Sequence, residues 1–282
     1  MSMTESEPQH TSRTRQPCWL FDIPFAPLTL DETAHEVERL ILRNVPSYLI
    51  TANTNYAMLV AQHPDLHEVN RKAALIVADG IHLVRVSRMT RCPLPERVTG
   101  TDLLYRFGEL AAQKGYSLFL LGAAPGVGDQ AARNLCTQYP GLRIVGTESP
   151  MFKDLTHHQH EALIARIRAA RPDVLFLAMS QPQGERWMYR NHEMLGVPVC
   201  IQVGSAVDFA AGRMPRAPRW MQKAGLEAPY RMFQEPLRLV PRYSRNALFL
   251  AKSLARFALS PEYRRQDRSF DGLSHRSSPH HD

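Results

Sequence analysis

Cysteine is scarce in this sequence, and its four copies, Cys18, Cys92, Cys136 and Cys200, lie far apart. No two of them form the Cys-x-x-Cys pair that marks structural zinc sites and redox motifs. Four scattered cysteines in 282 residues also do not form the dense disulfide framework of a small secreted domain. The sequence therefore predicts reduced thiols, as in a cytosolic protein.

Long apolar runs are also missing. No window offers the roughly 20 uninterrupted apolar residues that a membrane-spanning helix needs. The polar segment from Met1 to Gln16 lacks the apolar core of a signal peptide. We therefore expect the chain to remain in the cytosol, either free or bound peripherally to the inner face of the cell membrane.

Three common signatures of nucleotide or metal binding are absent. The sequence contains no Asp-x-Asp pair to hold a divalent cation on a sugar nucleotide, no P-loop and no Gly-x-Gly-x-x-Gly. His157, His158 and His160 lie near Asp154, but their segment is polar and is interpreted as a linker. The sequence therefore predicts no metal site.

The chain does contain enough apolar material for a large core. Hydrophobic residues make up 44% and charged residues 22%, an ordinary balance for a folded protein. Short apolar strands alternate with helical segments over residues 17–212, which predicts an α/β fold: a Rossmann-like, mostly parallel sheet with helices on both faces. A first strand is expected at Cys18–Ile23, and Thr101 or Asp102 is expected to cap a helix that runs to Lys114.

The C-terminal region has a different character. Arginine is dense and no strand is predicted over residues 213–265, so we expect a basic helical appendage. On a helix with 100° per residue, five basic residues would share one side and six mostly apolar residues would lie opposite. The basic residues are Arg238, Arg242, Arg245, Lys252 and Arg256, and the apolar ones are Val240, Tyr243, Ala247, Leu250, Leu254 and Phe257.

This appendage has two interpretations that the sequence leaves open. A basic amphipathic helix suits the surface of an anionic membrane, but an ordinary C-terminal helix with a solvated basic face would look the same. The formal net charge of +7 favours an anionic partner, and no nucleic-acid recognition motif accompanies it. The segments 1–16 and 266–282 are predicted to be disordered tails.

Two predicted strands end in polar residues suited to bind a ligand. One apolar strand runs into Thr51 and Asn53, and the next runs into Asp79 and Gly80. In open α/β sheets, ligands bind beyond the carboxyl ends of the strands. Burial would raise the pKa of Asp79, which suits a general base. The alternative is a carboxylate that only caps a helix or a turn.

Three further candidates each have an ordinary alternative. The loop with Gly122, Gly126 and Gly128 joins a strand to a helix, as a phosphate-binding loop does, but a simple tight connection has the same form. Arg97 could hold a phosphate through a bidentate contact or lie on the surface. Asp208 follows the last predicted strand on the ligand side, or it belongs to a structural turn.

Many of these segments occur in an order that resembles one protein family over roughly residues 20–250. They are Thr51–Asn53, Ala78–Gly80, Leu94–Asp102, Leu120–Gly126, Tyr139–Gly146, Pro182–Glu185, Val203–Gly212, Arg216–Trp220, Gly225–Glu227, Tyr230–Arg231 and Glu235–Arg238. With this order and spacing, the sequence resembles the WecG/TagA/CpsF family of bacterial glycosyltransferases.

The resemblance implies a reaction and its partners. Members transfer a hexose, with inversion, from a UDP-sugar to a sugar carried on polyprenyl diphosphate, and they serve the assembly of cell-envelope polymers such as capsule or exopolysaccharide. The implied donor is of the UDP-ManNAc, UDP-ManNAcA or UDP-glucose type, with no metal or other cofactor. The implied surroundings are the anionic inner-membrane surface and no nucleic acid, and a homo-oligomer remains an open alternative.

The resemblance also implies roles for individual residues. Thr51 and Asn53 would lie near the sugar, Asp79 would be the catalytic base, and Arg97 would complete this group. The glycine loop and Asp208 would belong to the donor site. The arginines that would face the diphosphates are best sought among Arg216, Arg231, Arg238 and Arg242.

One segment departs from the family pattern. Where the family has Gly-x-Pro-Lys-Gln-Glu, this chain has Ser180-Gln-Pro-Gln-Gly-Glu185. Gln183 thus replaces a lysine, and Gly184 replaces the glutamine expected to touch the donor; Gln183 and Glu185 are kept as donor-site candidates. The departure leaves an alternative open: a catalytically weak or inactive nucleotide-sugar-binding protein of the same fold.

Overall fold

The computed structural model describes residues 16–218, 220–221 and 226–259. The tail predicted at 266–282, and all of the tail predicted at 1–16 except Gln16, lie outside these residues. The described chain begins with an antiparallel hairpin of β1 (Cys18–Leu20) and β2 (Ile23–Phe25). Phe21 and Asp22 have positive φ angles of 53° and 59° and reverse the chain. The single strand predicted at Cys18–Ile23 is therefore wrong.

The main sheet has six parallel strands in the order β4-β3-β8-β7-β5-β6. The central strands β3, β8, β7 and β5 are buried almost throughout, which explains why they appear in the sequence as continuous apolar runs. This sheet confirms the predicted α/β fold. The strand bounds are β3 Ser47–Ala52, β4 Leu75–Ala78, β5 Ser117–Gly122, β6 Arg143–Glu148, β7 Val174–Ala178 and β8 Val199–Gln202.

Helices cover both faces of the sheet and form two apolar cores. α2, α3, α4, α7 and α8 share one core with residues such as Ile50 and Ala52, while α1, α5, α6 and α9 share the other with Leu49. Successive side chains of β3 point to opposite faces of the sheet, so this strand contributes to both cores. The helix bounds are α1 Leu30–Arg43, α2 Thr54–Gln62, α3 Asp65–Lys72, α4 Ile81–Ser87, α5 Gly100–Lys114, α6 Val127–Gln138, α7 His157–Ala170, α8 Gln183–Leu195 and α9 Ala206–Ala210.

One helix starts earlier than predicted, and another includes the segment that was interpreted as a linker. Thr99, and not Thr101 or Asp102, caps α5, because its hydroxyl oxygen accepts a hydrogen bond of 2.9 Å from the Asp102 N–H. Thr156 caps α7 in a reciprocal capping box with Gln159. The three neighbouring histidines therefore belong to a helix, and the linker interpretation of their segment is wrong.

The C-terminal segment, which follows residue 212, contains two described helices, as predicted: α10 (Glu227–Gln234) and α11 (Pro236–Leu259). α11 packs against α2 through a face that contains the buried Leu239 and Asn246. Val240 and Ala247 of the predicted apolar side are exposed, whereas Tyr243, Leu250 and Leu254 are half-buried, so the packed side coincides only in part with the predicted apolar side. The correct side could not be chosen from the pattern alone, because the helix is moderately apolar on several sides. The division of the chain at residue 212 stays a prediction.

A close contact positions the start of α5. A Cβ atom at Gly100 would lie 2.8 Å from the Cα and 2.9 Å from the carbonyl oxygen of Val203, the residue after β8. Only glycine fits at this distance without displacing the main chain. The contact holds the N-terminus of α5 against the carboxyl edge of the sheet.

Gly100→Ala should destabilise the fold by about 1–3 kcal/mol, because the added methyl group must displace main-chain atoms of Val203. Gly108→Ala in the same helix is the matched control, since its nearest neighbours would be 3.5 Å away and alanine favours a helix interior. Urea denaturation of both variants measures the difference. Equal stability of Gly100→Ala and the wild type would show that the close contact is not a constraint.

Candidate active site

The structure brings Thr51, Asn53 and Asp79 together where β3 and β4 end. The two strands are neighbours, and the N–H of Asp79 donates a hydrogen bond of 2.8 Å to the carbonyl of Ala52. Gly80 follows, and a Cβ there would lie 4.0 Å from Asn53. The two strand ends that the sequence singles out therefore form one site.

Two of these residues also organise the strand ends. The Thr51 side chain is buried, and its hydroxyl donates a hydrogen bond of 2.9 Å to the carbonyl of Gln202 at the end of β8. Asn53 caps α2, because its Oδ1 accepts a hydrogen bond of 3.1 Å from the N–H of Tyr56. Both residues thus position main-chain groups at the carboxyl edge of the sheet.

Asp79 is half-buried in a charged environment at the start of α5. Its carboxyl accepts a hydrogen bond from the Gly100 N–H, and its pKa is raised to about 7. Burial is the main cause, because it disfavours the charged form. The nearby Arg97 opposes the rise, whereas the carboxylates of Glu227 and Asp102 add to it. At neutral pH this carboxyl can therefore both accept and release a proton.

A chain of ion pairs lies beside Asp79. Arg97 Nη1 is 2.6 Å from Glu227 Oε2, and Arg97 Nη2 is 3.8 Å from Asp102 Oδ2. Asp102 Oδ1 in turn pairs with Arg216 Nη2 at 2.5 Å. These side chains are only 17–26% exposed, so water screens them weakly. The ion pairs connect the first turn of α5 to the C-terminal segment.

The other candidates from the C-terminal half are placed less uniformly. The guanidinium of Arg231 lies 5.5 Å from the ring centre of Phe209. Phe209 follows Asp208 in α9, so this contact joins α10 to α9. Arg242 is half-buried on the packed side of α11. The side chain of Arg238 lies outside the described part of the structure.

The glycine loop lies away from Asp79. Three strands separate the ends of β4 and β5, a distance of roughly 19 Å at ordinary strand spacing. Gly122 and Gly126 have φ angles of 96° and 76°, and a Cβ at Gly122 would lie 2.5 Å from the Ala178 carbonyl oxygen. Gly128 is already inside α6. A tight connection thus explains the first two glycines, and only an elongated ligand could contact both this loop and Asp79.

The glycine loop does lie at a place where ligands bind in this fold. β5 and β7 are neighbours, but the chain leaves β5 toward β6 and leaves β7 in the opposite direction, toward β8. Such a reversal opens a crevice at the carboxyl ends of the strands. The loop therefore remains a candidate for the far end of an extended ligand.

Two classes of feature are absent from the part of the chain that the structure describes. Over these residues, no three or more His, Cys, Asp or Glu side chains come together in a way that could hold a metal ion. The described helices also include none with the length and apolar character to span a bilayer.

Sequence comparison decides the family. The profile of the glycosyl transferase WecG/TagA/CpsF family matches residues 18–262. The chain belongs to this family. The resemblance seen in the ordered segments is thereby confirmed.

Similar proteins of this family include enzymes named N-acetylglucosaminyldiphosphoundecaprenol N-acetyl-beta-D-mannosaminyltransferase. The one from Bacillus subtilis (strain 168) is 27% identical over 250 residues, which cover 86% of this chain and 95% of the relative. Those from Bacillus spizizenii and Staphylococcus aureus (strain MRSA252) are each 29% identical, over 206 and 184 residues. These matches cover 71% and 65% of this chain and 78% and 70% of the relatives.

The departure of this WecG/TagA/CpsF member from the family pattern has a structural counterpart. A Cβ at Gly184 would lie 2.8 Å from Gln202 Nε2 and 3.1 Å from Met179 Cβ, so a larger residue does not fit here without rearrangement. Gln183 Oε1 accepts a hydrogen bond of 2.8 Å from the Ser180 hydroxyl. Glu185 is fully buried, and burial raises its pKa to about 8, so the structure does not bring this carboxyl to the surface of the site.

Gln202 is a residue of this edge that the sequence reasoning missed. Its side chain is 2% exposed; its Nε2 donates to the Met179 carbonyl at 2.9 Å, and its Oε1 accepts from the Gly204 N–H at 2.7 Å. It therefore ties together the loops that follow β7 and β8. The available signal was a polar amide at the end of an otherwise apolar strand, which marks a buried hydrogen-bonding role.

Asp79→Asn should remove a pH dependence of stability. The folded-state pKa of about 7 exceeds the value of about 3.9 for an unfolded aspartate. Between these pH values the folded state retains a proton that the unfolded state has lost, so this contribution to stability declines as the pH rises from about 4 to 7. The free energy of unfolding of Asp79→Asn, relative to the wild type, should therefore increase across that window in urea titrations.

The control for this experiment is Asp154→Asn, which makes the same replacement at an exposed aspartate. A pH-independent difference between Asp79→Asn and the wild type would show that the pKa of Asp79 is not raised in the folded chain.

Proposed function

We propose that this chain is an inverting, metal-independent hexosyltransferase. It moves a hexose from a UDP-sugar to a sugar carried on polyprenyl diphosphate, in the synthesis of exopolysaccharide, capsule or another cell-envelope polymer. The observation that carries the proposal is the Asp79 carboxyl at the end of β4, with a pKa of about 7, in a family whose relatives are named for transfer to a diphosphoundecaprenol-linked sugar. The relatives make an N-acetylmannosaminyl donor the first to test.

Asp79 would act as the general base. Its carboxylate takes the proton from the acceptor hydroxyl while that oxygen forms a bond to the anomeric carbon. The bond from the anomeric carbon to the β-phosphate oxygen breaks, and UDP leaves with the electron pair. Attack from the face opposite the leaving group inverts the centre. A base is most effective when its pKa is near the working pH, which is the condition that burial creates at Asp79.

Thr51 and Asn53 would hold the sugar beside the base, because they lie at the adjacent strand end. Arginine and helix N-terminal N–H groups would offset the charge that develops on the departing diphosphate. Arg97 and Arg216 both lie in the ion-pair chain next to Asp79. Each guanidinium has five N–H donors, so an arginine that is paired with one carboxylate can still bind phosphate oxygens.

A second function is favoured by one observation. The donor-side segment has Gly184 where the family has glutamine, and a side chain at this position would have to displace the Gln202 side chain. The alternative is therefore a weak or inactive nucleotide-sugar-binding protein with the same fold. It would bind UDP but transfer no sugar.

We further propose that the C-terminal segment attaches the enzyme to the anionic inner face of the cell membrane. The outer side of α11 exposes Leu237, Val240 and Leu248 at 94%, 46% and 56%. Arg245 and Lys252 are exposed along the edge of this apolar strip. Apolar residues that enter the interface beside basic residues that meet anionic headgroups are typical of a helix lying on a membrane.

Asp79→Asn should lower turnover by about 10²- to 10⁴-fold, because the acceptor proton loses its base, while UDP binding remains. The wild-type kcat/KM should rise with pH to a plateau, with a midpoint near pH 7, as Asp79 ionises. Purified protein is assayed with a panel of UDP-hexoses and polyprenyl-diphosphate-linked N-acetylglucosamine, and UDP binding is measured by calorimetry. UDP binding without turnover in the wild type would support the inactive alternative, and full activity of Asp79→Asn would exclude Asp79 as the base.

Replacing Arg245, Lys252 and Arg256 together by glutamate should release the protein from anionic liposomes in a sedimentation assay. The attraction to the surface is worth about 1 kcal/mol for each basic residue. A matched control replaces the exposed Arg133, Lys153 and Arg168 by glutamate, which changes the net charge equally. Equal retention of the two variants would show that α11 is not the membrane-binding surface.

A further inference from the structure

Glu227 reaches the surroundings of Asp79 from a distant part of the chain. It is the first residue of α10, and its Oε2 lies 2.6 Å from Nη1 of Arg97. The two side chains are 20% and 17% exposed, so this ion pair is largely enclosed by protein. An ion pair in water would have little effect on neighbouring charges. An enclosed pair has a larger effect, because the effective dielectric constant inside the protein is lower.

The groups around Asp79 come from three parts of the chain. The loop before α5 supplies Arg97, the first turn of α5 supplies Asp102 and the Gly100 N–H, and α10 supplies Glu227. Arg216 is connected to these groups through its ion pair with Asp102. Two cations and three carboxyls thus share this region.

The position of Arg97 decides how these charges act on Asp79. A guanidinium next to a carboxylate stabilises the charged form and makes the carboxylate a weaker base. Glu227 holds Arg97 by a short ion pair and adds a second negative charge near Asp79. Both effects counteract the influence of Arg97, so that Asp79 retains its affinity for a proton.

We infer that Glu227 is a positioning residue of the transfer reaction: it holds Arg97 and keeps Asp79 an effective base while the C-terminal segment is docked. The inference rests on the proposed function of Asp79. It adds that the base is completed by a residue of the C-terminal segment. α10 is also held by Arg231 over the Phe209 ring, so docking of this helix and the strength of the base are linked.

The test compares three variants of the full-length protein. Glu227→Gln removes the charge but keeps the size of the side chain, Glu227→Asp keeps the charge, and Glu193→Gln removes a charge from the exposed end of α8 as a control. The titration of Asp79 is followed by NMR on protein with ¹³C-labelled aspartate carboxyls, with Asp79→Asn for assignment. The pH profile of kcat/KM is measured in parallel with the donor and acceptor described above.

In Glu227→Gln, the titration midpoint of Asp79 and the lower limb of the pH profile should both move down by roughly half a pH unit or more. The limiting kcat/KM at high pH should fall, because a weaker base takes the acceptor proton less readily. In Glu227→Asp, the midpoint should return most of the way to the wild-type value. Glu193→Gln should leave both the midpoint and the activity unchanged.

An unchanged or higher Asp79 midpoint in Glu227→Gln would overturn the inference, and so would an equal decrease in Glu193→Gln. The NMR titration needs no substrate, which separates this result from the proposed function. A shifted midpoint in a protein without transferase activity would support the link between Glu227 and Asp79 and reject the function. Normal turnover with an unshifted midpoint would support the function and reject the link between Glu227 and Asp79.

Discussion

The contact between the start of α5 and the end of β8 is the constraint on which the site depends. Gly100 lies against the main chain of Val203, and no side chain fits between them. This contact places a helix N-terminus at the carboxyl edge of the sheet, where the Gly100 N–H meets the Asp79 carboxyl. It also fixes Asp102 in the first turn and Arg97 in the preceding loop. One close approach of two main chains thus brings a helix N-terminus and its neighbouring charges to the Asp79 carboxyl.

The charges at this edge are arranged so that the acid is neither freely ionised nor permanently neutral. Burial alone would strongly disfavour a carboxylate, and one arginine alone would strongly favour it. Here Arg97 also forms ion pairs with two other carboxylates, Glu227 at 2.6 Å and Asp102 at 3.8 Å. The result is a carboxyl with a pKa near neutrality. A reversible proton acceptor therefore needs the whole group of residues, and no single neighbour produces it.

The C-terminal segment takes part in this group and also presents an outer surface. Its inner contacts are Arg216 with Asp102, Glu227 with Arg97, and Arg231 with the Phe209 ring. Its outer side combines exposed apolar and basic residues on α11. Because one short segment has both an inner and an outer role, an event at the outer surface can influence the site through the ion pairs. This physical connection is the basis of the proposed link between docking and catalysis.

The sequence by itself determined the α/β class, the pairing of Thr51 and Asn53 with Asp79, and the family, because strand periodicity, strand ends and ordered motifs are local signals. It did not determine that Thr99 caps α5, that Gln202 ties two loops together, or which side of α11 is packed. Nor could it show that Glu227 meets Arg97, 130 residues earlier in the chain. These features depend on distances between distant segments, which only the packing of helices on the sheet decides. The raised pKa of Asp79 is of the same kind, since burial and neighbouring charges exist only in the folded chain.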